Sequence, residues 1–154
     1  MTTTNTITVQ GGVLVAHDGS SSSEAALRTA VRCAPVFGGH VEVVRAWSLT
    51  TAPVPEGMDG GYVPPMEEFE SATLAALERD VAHIRTEHPE VTISCSTVHG
   101  NVAEKLIEAS SRVDLIVLGS RGRGGFVGLL LGSTSDQVVH HAKCRVLIDR
   151  TPST

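Results

Sequence analysis

Aromatic side chains are scarce in this sequence: Phe, Trp and Tyr together make up 3% of its 154 residues. A surface that stacks successive bases of single-stranded nucleic acid needs several exposed rings, so that partner is excluded. Basic charge is also short. Lys and Arg number 12 against 17 Asp and Glu, a formal net charge of -5, which rules out a polybasic nucleic-acid binder and repels polyanions. Cysteine occurs only at Cys33, Cys95 and Cys144, with no C-x-x-C spacing. That pattern signals neither a disulfide framework nor a zinc site; it fits buried thiols in a reducing cytosol. No apolar run approaches the ~18 residues of a membrane-crossing helix. The Thr-rich start from Met1 to Gln10 has neither the basic residues nor the apolar stretch of a secretory signal. The expectation is a soluble cytoplasmic protein with no membrane partner.

Familiar catalytic signatures are missing too. G-x-S-x-G and G-x-x-x-x-G-K-[ST] do not occur, and no G-x-G-x-x-G follows the first strand-like run. His140 and His141 are adjacent and so point apart on a helix, while His83 and His88 have no acidic third ligand at compatible spacing. Neither a catalytic residue nor a metal site is expected.

What is present is a chain with 41% hydrophobic and 19% charged residues, long enough to bury a core as one domain. Short runs rich in β-branched residues, Gly12 to His17, His40 to Trp47, Val91 to Val98, Val113 to Leu118 and Arg145 to Ile148, alternate with amphipathic segments. Leu27, Ala30, Val31, Ala34 and Phe37 recur at helical spacing, which predicts a helix from about Ser22 to Phe37 opened by a Ser21/Glu24 capping box. A second helix carries Leu74, Leu77, Val81 and Ile84 on one face; a third follows an Asn101 cap and buries Ala103, Leu106 and Ile107; a short fourth holds Val138, Val139 and Ala142. Strand alternating with helix predicts a mostly parallel α/β sheet with helices on both faces. Residues 1–10 are expected to form a flexible tail. The Pro- and Gly-rich stretch from Ser48 to Pro65 should be a mobile surface loop outside the core.

In such a sheet, ligands sit at the carboxyl ends of strands where strand order reverses. Two strand ends carry distinctive residues: Ala16-His17-Asp18-Gly19-Ser20 and Gly119-Ser120-Arg121-Gly122-Arg123, the latter feeding Gly132-Ser133-Thr134 at a helix start. A polyphosphate requires backbone amides approached without a Cβ in the way, the positive end of a helix, and hydroxyl donors. The segment from Gly119 to Thr134 offers all three, with Gly119 and Gly122 allowing tight turns and Arg121 and Arg123 adding local positive charge. Asp18 could accept hydrogen bonds from ribose hydroxyls, although Asp-Gly-Ser is also an ordinary strand-to-helix turn.

These residues resemble the universal stress protein family, single-domain ATP-binding class, from about Gly12 to Arg150. Its signature of G-x-x-G, nine residues and G-[ST] is matched by Gly119 to Gly122, residues 123–131 and Gly132-Ser133. The resemblance implies a Rossmann-like open parallel five-stranded sheet in order 3-2-1-4-5. It also implies an adenine nucleotide, ATP with Mg²⁺ or AMP, between the first and fourth strand ends. Ala16, His17, Asp18 and Ala46 would contact adenine and ribose, and Leu118 and Gly119 the ribose side. Gly122, Gly132, Ser133 and Thr134 would hold the phosphates, with Ser120, Arg121 and Arg123 alongside. The family commonly forms a homodimer through its last strand, here about Cys144 to Arg150, where Asp149 and Arg150 could exchange acid-base pairs across the two-fold. The implied function is a nucleotide-binding stress-response module whose nucleotide state modulates dimer or partner contacts. The alternatives are a slow ATPase or nucleotidyl-transfer enzyme using His17 as acid/base, and a dimeric scaffold without nucleotide. His17-Asp18-Gly19-Ser20 lacks the H-x-G-H motif expected of the transferases.

Overall fold

A computed structural model describes residues 4–56, 58, 61–121 and 131–150. In chain order the elements are β1 (Val13–Ala16), α1 (Ser21–Cys33), a 3-10 turn (Ala34–Phe37), β2 (His40–Trp47), α2 (Met66–Glu87), β3 (Thr92–His99), α3 (Val102–Ala109), β4 (Leu115–Gly119), α4 (Ser133–His141) and β5 (Arg145–Asp149). All strand pairs are parallel and the order is β3-β2-β1-β4-β5. Helices lie on both faces, as expected of a sheet whose strands read as near-continuous apolar runs.

Strand alternation divides the core into two layers. Val13, Val15, Val41, Val43 and Val117 pack with Leu27 and Val31 of α1 and Leu77, Val81 and Ile84 of α2. Leu14, Val44, Val98, Ile116 and Leu118 face the other way, with Leu106 of α3 and Val138 of α4. Leu115 through Leu118 are buried on both sides, as their unbroken hydrophobicity predicts.

The expected first helix stops early. Pro35 has no amide proton to continue an α-helical ladder, and the chain tightens into the 3-10 turn before Gly38, whose φ of 90° only glycine adopts readily. The cap is Ser20, not Ser21: its Oγ accepts from the Ser23 amide at 3.2 Å, and Ser23 Oγ returns a bond to the Ser20 carbonyl at 2.8 Å. Glu24 is thereby released from capping. Asn101 does cap α3, accepting from the Glu104 amide at 3.3 Å.

Residues 4–10, expected as a loose tail, are instead docked. The Thr4 carbonyl accepts from the His99 amide at 2.9 Å, its own amide donates to Glu70 Oε1 at 2.8 Å, and Arg112 donates to the Ile7 carbonyl. The segment thus crosses the second core layer from the end of β3 to the turn before β4. Ile7 is 3% exposed, a core residue in all but sequence position. Ile7→Ala should cost about 2–3 kcal/mol, the lower part of the range for truncating a buried aliphatic. The melting temperature should fall by about 5–10 °C; an unchanged melting curve would show that the segment is not docked in solution.

The described residues of 48–65 contain neither α-helix nor strand, yet Pro55 and Pro64 are buried, so the loop is not purely surface. Asp149 also departs from expectation. It is 7% exposed and accepts from Thr29 Oγ1 of α1, so its carboxylate is turned inward and is not placed to meet a partner's base. The three cysteines are free and half-buried; burial pushes the Cys95 thiol up to about 11, which keeps it protonated and unreactive. No helix among the described residues is long and apolar enough to cross a membrane.

Candidate functional site

β1 has β2 on one side and β4 on the other, so the chain leaves the sheet in opposite directions from two adjacent strand ends. A cleft of about 760 Å³ opens there. Of the residues singled out from sequence, it brings together Ala16, His17, Asp18, Ala46, Leu118, Gly119, Arg121, Gly132, Ser133 and Thr134. Gly122 and Arg123 lie outside the described residues. Ser120 does not line the cleft: its amide donates to the Asp149 carbonyl at 3.0 Å and its carbonyl accepts from the Gly132 amide at 2.8 Å. The chain therefore leaves at Ser120 and returns to the same point at Gly132.

On the β1 side, Asp18 Oδ1 accepts from the Ser20 amide at 2.9 Å, closing a turn through Gly19, whose φ is 85°. This turn leads into α1. On the β4 side, Gly119 is needed for a reason other than flexibility. Its φ is not positive, but a Cβ there would lie 2.8 Å from the Ser22 carbonyl oxygen and 2.9 Å from its carbon. Only glycine lets the first turn of α1 approach β4 this closely. Ser22 Oγ then accepts from the Arg121 amide at 3.4 Å, and Ser135 Oγ donates to the Gly119 carbonyl at 2.8 Å.

α4 begins at the cleft. Gly132 is its N-cap, no described side chain caps it, and Ser133 and Thr134 are its first residues. The helix start therefore presents backbone amides and two hydroxyls with the positive end of the helix dipole behind them. Gly132 has φ -66° and ψ 162°, which any residue adopts, so no backbone constraint demands glycine there.

The opposite wall was not legible from motifs. Arg45, Thr50, Thr51, Thr73 and Asp80 all line the cleft. Arg45 is the informative one: it breaks the buried stripe of Val41, Val43 and Trp47, a signal the strand pattern does contain. Its Nε donates to the His17 carbonyl at 2.9 Å, and its Nη2 lies 2.7 Å from His17 Nδ1 and 2.8 Å from Asp80 Oδ2. His17 itself is 3% exposed. Nδ1 also accepts from the Gly19 amide at 3.2 Å, and Nε2 faces Glu24 Oε2 at 3.4 Å. Two obligate donors on Nδ1 fix the neutral tautomer with its proton on Nε2. Burial, and then the Arg45 charge, hold the His17 pKa below the ordinary 6.5, against the opposing pull of Glu24.

Backbone polarity completes the picture. The Val44 carbonyl accepts from the His17 amide at 2.9 Å, toward β1, and the Trp47 carbonyl from the Gly100 amide at 3.2 Å, toward β3. Strand alternation thus directs the Ala46 amide and carbonyl toward the β1 side, beyond Ala16, the last β1 residue in register with β2.

Comparison with known proteins agrees with this architecture. Residues 12–150 match the universal stress protein family. A universal stress protein of Mycobacterium tuberculosis is 37% identical over 138 residues, covering 90% of this chain and 45% of that protein, so the chain spans about half the length of the mycobacterial relatives it matches. A Thermus aquaticus relative is 33% identical over 144 residues, covering 90% of this chain and 97% of its own. Among solved structures, the universal stress protein UspA from Lactobacillus plantarum superposes with a TM-score of 0.68 at 22% identity, covering 94% of this chain and 100% of that one. A universal stress protein in complex with cAMP gives 0.64 at 25% identity, with the same coverages of 94% and 100%. With the match running from the start of β1 to the end of β5, the chain belongs to the universal stress protein family.

Proposed function

We propose that the cleft holds an adenine nucleotide, ATP or AMP, and that this cytoplasmic protein acts by binding it and altering contacts with a second copy or a partner. The observation that carries the reading is the placement of Ser133 and Thr134, at the open start of α4, across one cleft from Asp18. The phosphates would sit at that helix start, where Gly132 lacks a Cβ although its conformation does not require it. Asp18 would accept from the ribose, and the base would lie against Ala46, its edge read by the amide and carbonyl directed there. A solved relative in complex with cAMP supports an adenine nucleotide as the class of ligand.

Mg²⁺ would arrive with the phosphates, since no group of three His, Cys, Asp or Glu among the described residues could hold a metal. Acid-base catalysis by His17 is disfavoured, because both ring nitrogens are engaged and the ring is buried. Binding without rapid turnover is the better reading.

A route from nucleotide to dimer follows from the anchoring of Ser120 on Asp149. Ser120, whose carbonyl takes the Gly132 amide at the start of α4, is itself bonded to Asp149 of β5, so a change at the phosphates would reach that strand. The two sheet edges differ. On β3, Arg85 donates from Nε and Nη2 to the Ile93 carbonyl at 3.1 and 3.0 Å, occupying an edge acceptor. β5 is the edge proposed to pair with a second copy.

Calorimetry with ATP, AMP and cAMP, and mass spectrometry of nucleotide released on denaturation, test the reading. One-to-one binding is expected. Asp18→Asn keeps the acceptor for the Ser20 amide but removes the charge, so affinity should fall about tenfold, the scale of a charge-assisted hydrogen bond, with the fold retained. No heat and no copurified nucleotide would leave the scaffold reading in its place.

A further inference from the structure

We propose that Arg45 is a positioning residue of the cleft, acting through His17: it grips that residue's carbonyl and Nδ1 together, and so fixes the turn that presents Asp18. The inference rests on the nucleotide reading only for what the cleft binds.

The geometry supports it at each step. Arg45 is braced from α2 by Asp80 at 2.8 Å, and its side chain is 12% exposed. From that position it reaches both ends of one residue, the carbonyl at 2.9 Å and the ring nitrogen at 2.7 Å. The same ring nitrogen accepts from Gly19 at 3.2 Å, so the two residues flanking Asp18 are both tied to it. The far side of the ring is held by Glu24 of α1, which also meets His83 of α2 at 2.6 Å and Arg28 at 3.5 Å. The charged and titratable groups around His17 are therefore Glu24 and Arg28 on α1, Arg45 on β2, and Asp80 and His83 on α2, with Asp18 next in its own turn.

This clamp has one chemical requirement. Nδ1 must remain an acceptor, because it receives two donors that cannot be reversed, a guanidinium and a peptide amide. A proton on Nδ1 would displace both and set imidazolium against guanidinium. Acid should therefore loosen the Asp18 turn at a single group. A general salt effect would not show that dependence, and neither would a purely structural role for Arg45.

The test measures AMP affinity between pH 5 and 8 by calorimetry for the unmodified protein, His17→Asn and Arg45→Lys, alongside NMR titration of the His17 ring and the Gly19 amide. Asn Oδ1 can take the place of Nδ1 without titrating, and titration of the AMP phosphate is common to all three proteins. In the unmodified protein, affinity should fall at least tenfold more on acidification than in His17→Asn. The Gly19 resonance should move with His17 protonation. Arg45→Lys keeps the charge but cannot grip both sites, so it should bind at least tenfold more weakly at pH 8. Matching pH profiles for the unmodified protein and His17→Asn would overturn the proposal, as would a Gly19 amide that ignores His17. If AMP binds none of the proteins at any pH, the nucleotide reading fails, and the NMR titration of the unmodified protein alone decides the clamp.

Discussion

Gly119→Ala should destabilise the protein by about 2 kcal/mol, where the same change in an ordinary strand would be neutral or favourable. The added methyl would stand 2.8 and 2.9 Å from backbone atoms of Ser22, which no rotamer change can relieve. α1 must therefore shift away from β4, and with it the Ser22 contact to the Arg121 amide and the turn at Asp18. A fall of about 4–8 °C in melting temperature is expected, with nucleotide affinity lowered at least thirtyfold because both walls of the cleft move. Differential scanning calorimetry and isothermal titration on the same sample check the two effects. A gain in stability would show that the close approach of α1 to β4 is not maintained in solution.

The strand-helix alternation and both core faces were legible because each strand carries its own apolar pattern and each helix its own period. The 3-2-1-4-5 order was not a matter of pattern; it came from the resemblance carried by the glycine spacing. Gly119 was recognisable as a cleft residue, but the tight turn read for it is not what demands glycine, and the close neighbour that does, Ser22, is far away in sequence. The start of α1 was ambiguous within the run Ser20 to Ser23, any of which can cap, and the Asp18 turn decides for Ser20. On α2 the buried stripe includes Thr73 where Leu74 was expected, because the Thr73 hydroxyl satisfies itself on the Phe69 carbonyl at 2.8 Å. Ile7 gave no signal, as two alternating apolar residues do not reveal the sheet face they cross. Arg45 and Asp80 escaped for a related reason: Arg45 interrupts the buried stripe of β2, but nothing local names its partner, and the two meet only when β2 and α2 pack together.

Ala46→Phe should abolish measurable nucleotide binding while leaving the fold intact. Ala46 is half-buried and packs against the second core layer, lining the cleft with Ala16, Val102 and Leu118. The cleft that Ala46 lines, about 760 Å³, has the volume to take a phenyl ring, which would bury apolar surface of its own against the wall. It would occupy the room proposed for the base and screen the Ala46 peptide groups. Loss of the base contacts should weaken AMP and ATP at least a hundredfold, about 2.8 kcal/mol, with a melting temperature equal to or above that of the unmodified protein. Inorganic triphosphate separates the two ends of the cleft. With the phosphates at the start of α4, as proposed, its affinity should change less than threefold. If AMP still bound Ala46→Phe within threefold of its original affinity, the base would have to lie elsewhere, and the assignment of the β2 end would fail while the helix start remained a candidate for the phosphates.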